Sequence, residues 1–68
     1  MKKLNKSSPE YKFWKLAEEC GEVVQAISKI QRFGLNNKRP GSKETNRNRL
    51  RSEINDVIVA MEEVAKLI

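Results

Sequence analysis

Two apolar stripes of helical period, divided by a segment of turn formers, dominate this chain. In the first, Phe13, Leu16, Ala17, Cys20, Val23, Val24, Ile27 and Ile30 recur at steps of three and four. In the second, Leu50, Ile54, Val57, Ile58, Met61, Val64 and Ala65 do the same. Such spacing places each set on one face of a helix. The stripes have start and stop signals. Ser8 is a natural cap, Pro9 fits a first helical turn, and Glu10 suits the positive end of the helix dipole. Gly34 is placed to end the first helix. The spacing therefore predicts a helix from Pro9 to Phe33, about 37 Å long at about 1.5 Å per residue. A loop follows from Gly34 to Glu44, rich in Asn, Gly, Pro and Ser. A second helix runs from Thr45 to Leu67, with Thr45 or Asn46 as its cap. No strand-like alternation or repeat competes with this reading.

The expected fold is all-α: residues 1–68 form a single domain of two long antiparallel helices. A hairpin this small rarely supplies enough core alone. The single cysteine, Cys20, excludes an internal disulfide framework and suits a reducing, cytoplasmic setting. Self-association as a dimer or tetramer, closing a four-helix bundle, is the expected remedy. On this reading Cys20 is inert core, and the first stripe centres near Cys20 and Ile27. No apolar run is long enough to span a bilayer, so no membrane partner is expected. The polar start, Met1 to Ser8, has no apolar signal segment after it.

Histidine is absent. Ser-His and Cys-His nucleophiles are thereby excluded, and most zinc sites with them. What remains is carboxylate chemistry. Five of the nine acids fall into two sets: Glu18, Glu19 and Glu22, then Glu53 and Asp56. Glu19 with Glu22, and Glu53 with Asp56, are i,i+3 neighbours. Like charges at that spacing cost helix stability. Each pair begins at the edge of its apolar stripe, so a hairpin can bring the two pairs face to face. Four converging carboxylates call for a hard cation, Mg²⁺ or Mn²⁺. The alternative is a solvated acidic face, which is common on exposed helices.

The residues around these acids carry a resemblance. Lys15-Leu16-Ala17-Glu18-Glu19-Cys20-Gly21-Glu22-Val23-Val24-Gln25-Ala26-Ile27, followed by Glu53-Ile54-Asn55-Asp56-Val57-Ile58, resembles the MazG-like all-α nucleoside triphosphate pyrophosphohydrolases. Ile30-Gln31-Arg32-Phe33-Gly34 and Glu44-Thr45-Asn46 are similar to small bacterial and phage members. The resemblance covers Phe13 to Glu63. It implies Mg²⁺-dependent cleavage of a nucleoside triphosphate, (d)NTP, to monophosphate and pyrophosphate. It also implies that Glu19, Glu22, Glu53 and Asp56 hold the metal and that Glu18 orients or deprotonates the attacking water. Two departures stand out: Asn55 replaces a frequent Gly, and the sequence ends at Ile68 where relatives usually continue into a helix bearing phosphate-contacting bases.

Eight bases and one acid, Glu44, lie between Lys29 and Arg51. They suit triphosphate or nucleic-acid phosphates, or simply keep a loop soluble. Lys15, Arg32 and Arg47 are the candidate phosphate contacts. Lys15 also stands four residues before Glu19 and can pair with it. Trp14 is the candidate base-stacking residue, or else packs on another subunit. Nucleic acid is not expected as a partner, because no recognised binding motif accompanies the charge. Two other readings remain open: a small basic nucleic-acid-binding hairpin, and an inactive relative that acts through oligomerisation.

Overall fold

The computed structural model describes residues 5–38 and 40–68. The basic start at Met1 to Leu4 and Arg39 of the basic strip lie outside the described residues. Two helices make up the hairpin, α1 (Pro9–Phe33) and α2 (Asn46–Ala65). No strand occurs among the described residues, apart from one isolated bridge between Lys38 and Thr45. The expected all-helical hairpin is therefore observed, and three of its boundaries follow the capping chemistry, whereas α2 ends at Ala65, two residues short of the expected Leu67, where no capping Gly or Asn stands. Ser8 Oγ accepts from the Tyr11 backbone N–H at 3.2 Å, and Pro9 occupies the first turn. Gly34 stops α1 at φ 94°, a left-handed value that a side chain would strain, and its N–H reaches the Ile30 carbonyl at 2.8 Å. Thr45 caps α2 by accepting from the Asn48 N–H at 3.2 Å.

The helices run antiparallel, and each end of the pair is tied. Near the open end, Lys12 Nζ meets Glu63 Oε2 at 3.5 Å. At the loop end, buried Asn46 acts as a latch. Its Nδ2 donates to the Gly34 carbonyl at 2.9 Å, and its backbone N–H donates to the Asn37 carbonyl at 2.8 Å. The Arg47 N–H donates to the Leu35 carbonyl at 2.7 Å. The loop thus satisfies two of the N–H groups that α2 leaves free at its start.

The rotation of the helices corrects one expectation. The inner face is narrow and made of small or polar groups. Ala26, Ala60, Val64, Glu19 and Asn46 are its buried residues, and no large side chain is fully buried among those described. Cys20, expected as core, is exposed. So are Phe13, Val24 and Ile27 on α1, and Ile54, Ile58 and Met61 on α2. Much of the apolar stripe that sequence periodicity marks on α1 therefore points away from α2, while Leu16, Val23 and Ile30 of the same stripe are half-buried. Ala26 and Ala60 are buried between the helices, and much of the bulk is left outside. The exposed positions 13, 17, 20, 24 and 27 step by four and three, as do 54, 58, 61 and 65. That is the seam spacing of helices that pack on further helices. No helix is long and apolar enough to cross a membrane among the described residues.

Candidate metal centre

The inner faces of α1 and α2 bring the two acidic pairs together. One carboxylate oxygen each from Glu19, Glu53 and Asp56 lies within 4.8 Å of the others. Around Mg²⁺, with bonds of about 2.1 Å, neighbouring ligands stand about 3.0 Å apart and opposite ones about 4.2 Å, so the three oxygens would draw closer to share one ion. Glu19 is held on α1 by its position on the buried face, two turns before Ala26. Glu53 and Asp56 come from one turn of α2, the first half-buried and the second exposed.

Glu22 is not one of the three converging groups, yet its charge reaches Glu53. Burial, first, and then the nearby charge of Glu22 push the Glu53 carboxyl above its ordinary value of 4.5. Asp56 and Glu19 add to the rise, while Arg49 opposes it. The three other carboxylates singled out by spacing thus all act on Glu53. An oxygen-only set of this kind, with no thiolate or imidazole, suits Mg²⁺ or Mn²⁺.

Lys15 is the cation in closest contact. Its Nζ lies 2.8 Å from Glu19 Oε1 and 3.6 Å from Glu18 Oε1. The hydrogen bond to Glu19 is the main reason its pKa is raised above 10.5. Lys15 therefore makes the pairing expected from its spacing to Glu19, and it borders the cluster. Glu18 sits on the same ammonium, half-exposed, and is not one of the three converging carboxylates.

A cavity of about 370 Å³ opens beside the acids. Glu19 and Asp56 line one side, and Lys6, Lys12, Lys15 and Tyr11 line the rest together with Val59, Ala60 and Glu63. Trp14 is not among the lining residues. It stands outside the cavity with its ring 5.6 Å from Tyr11, and Tyr11 is the aromatic that faces it. Arg32 and Arg47 are also elsewhere. Arg32 follows Glu19 by thirteen residues on α1, about 20 Å along the axis at about 1.5 Å per residue. Arg47 precedes Glu53 by six, about 9 Å away on the same basis, and its Nε donates to Asn36 Oδ1 at 3.1 Å. Neither shares the carboxylate cluster within one chain.

Sequence reasoning passed over Arg49, Lys12 and Tyr11. Arg49 lies four residues before Glu53, a spacing that would have flagged it. Its Nε is buried and lacks a hydrogen-bond partner. Lys12 lies one heptad before Glu19, which places both on the inner face. No family model, curated protein or solved structure matches the chain.

Proposed function

We propose that the chain is an Mg²⁺-dependent nucleoside triphosphate pyrophosphohydrolase of the MazG-like kind, releasing monophosphate and pyrophosphate. One observation carries the reading: Glu19, Glu53 and Asp56 converge from two helices beside a lysine-lined cavity. In this reading Glu19, Glu53 and Asp56 hold Mg²⁺ or Mn²⁺, and Glu22 supplies the fourth carboxylate. When bound, such an ion neutralises phosphate charge and activates water. The chain's own groups do the rest. Glu18 orients the water, and Lys15 exchanges its contact with Glu19 for a phosphate oxygen. Lys6 and Lys12 hold the outer phosphates, and Tyr11 covers the base or sugar. Arg32 and Arg47 belong to the loop end of the hairpin and are not needed for the cleavage in one chain.

Self-association belongs to the same proposal. The exposed seams on α1 and α2 support a homodimer or tetramer in a four-helix arrangement, working in the cytoplasm where Mg²⁺ and triphosphates are at hand.

The test is to incubate the chain with each common NTP and dNTP plus Mg²⁺ and to separate the products. Monophosphate with pyrophosphate is expected, and EDTA should abolish both. Asp56→Asn and Glu19→Gln are expected to lose turnover while keeping the helical circular-dichroism signal. Diphosphate with orthophosphate would show that a different bond breaks. Full turnover in either variant would remove the site.

A further inference from the structure

The hairpin segregates its charge by end. Lys12, Lys15 and Lys66, at the open end, each pair with a glutamate. Lys29, Arg32, Lys38, Lys43 and Arg47 gather at the loop end. Among the described residues none of these five lies within 4.0 Å of a carboxylate. Glu44 is the one acid in that stretch of sequence. Unpaired charge of one sign, gathered on a small surface, attracts a polyanion.

An aromatic ring sits among these cations. Phe33 ends α1 and is half exposed. Lys29 Nζ lies 5.9 Å from its ring centroid, and Arg32 Cζ lies 5.1 Å away. Phe33 is off the heptad seam of α1, so packing by a second copy along that seam leaves it free. Beside the ring is a cavity of about 320 Å³, bordered by Lys29, Lys38, Asn37 and Asn46. That is near the lower end of small-ligand cavities, of order 300 Å³, and suits one nucleotide unit. One wall is held by hydrogen bonds, because Asn46 latches both Gly34 and Asn37. The position, about 20 Å along α1 from Glu19, separates this end from the carboxylate cluster.

We infer that the loop end is a binding site for single-stranded nucleic acid, with Lys29, Arg32 and Lys38 on phosphates and Phe33 stacked on a base. The stacking surface selects this ligand. Duplex nucleic acid hides its base faces, and an anionic lipid headgroup has no ring to stack. Aromatics interleaved with phosphate-binding cations are the usual construction of such sites. The inference does not depend on the hydrolase reading, since it uses none of the acidic residues.

The test is fluorescence anisotropy with a labelled oligothymidylate of about twelve nucleotides, in EDTA and without triphosphate. Binding is expected to weaken between about 50 and 200 mM salt. Its log–log slope should be about −0.7 per phosphate contacted, or about −2 for three. The double variant Arg32→Ala, Lys38→Ala should flatten that slope by about 1.4. Phe33→Ala should weaken binding by about fivefold or more and leave the slope unchanged. Phe33→Trp should tighten it, which keeps the ring testable if Phe33→Ala loses helicity. No binding at about 50 mM salt would overturn the inference. So would unchanged affinity in the double variant, or stronger binding to a duplex of the same length or to phosphatidylserine vesicles. Because the assay contains neither Mg²⁺ nor substrate, its failure would say nothing against the hydrolase reading.

Discussion

Burial and three neighbouring carboxylates all work against the charged form of Glu53. Its raised pKa makes the folded chain bind that proton more tightly than the unfolded chain does. Stability therefore falls as pH rises from 4.5 through the raised value, and the loss persists at neutral pH. Glu53→Gln removes the charge while keeping the shape. In EDTA at neutral pH the variant is expected to melt higher than the wild type, with the gap closing as pH falls below 4.5. A lower melting temperature for Glu53→Gln at neutral pH would contradict this account of the cluster. Asn46 is the opposite case, a buried polar group whose contacts are met. Asn46→Ala leaves the Gly34 carbonyl without its partner and should cost about 1–3 kcal/mol in chemical denaturation. Gly21 tests the outer surface of α1. A Cβ there meets nothing within 4 Å, so Gly21→Ala should stabilise the helix by about 0.5–1 kcal/mol. Destabilisation would mean that another helix packs directly over that position.

At the scale of the elements, the helix ends were legible from residues alone, because Ser8, Pro9, Gly34 and Thr45 act through local backbone chemistry. So was the approach of Glu19 to Glu53 and Asp56, since an antiparallel hairpin brings two such turns level, whereas Glu22, expected with them, stays outside the converging group. The rotation of the helices was not legible. Periodicity finds an apolar stripe but cannot say which partner covers it. Ala26 and Ala60 are buried on the intrachain face, while Phe13, Val24, Ile27 and Ile58 stay exposed. The cavity was illegible for the same reason: Tyr11 and Lys12 join it only once the inner face is known. The outer seam carries its own prediction. A buried Val or Ile contributes about 1.5–3 kcal/mol. Val24→Lys or Ile58→Lys should therefore raise the dissociation constant of the self-associated form by about tenfold or more in sedimentation equilibrium. A wild-type chain that sediments as a 7.9 kDa monomer at high concentration would remove the bundle from the proposal.

On the scale of the whole molecule, the hairpin has two chemically distinct ends joined by a thin core. Among the described residues, the open end brings acids and lysines around one cavity, Lys12 and Lys15 paired and Lys6 not, and the loop end holds unpaired bases around another. With so little buried within one chain, ligand binding should contribute visibly to stability. An ion that binds only the folded state adds about 1.4 kcal/mol at ten times its dissociation constant. For a chain of this size that is a rise of about 6–11 °C in melting temperature. The most direct test of the account is calorimetric titration of Mg²⁺ into the wild-type chain and into Asp56→Asn, with helicity verified for both. The account predicts saturable binding by the wild type and at least about a tenfold weaker interaction in the variant, since losing even an outer-shell partner of a metal ligand costs about 10–100-fold. Equal binding by the two chains, or none by a folded wild type, would contradict the claim that these carboxylates form one metal centre.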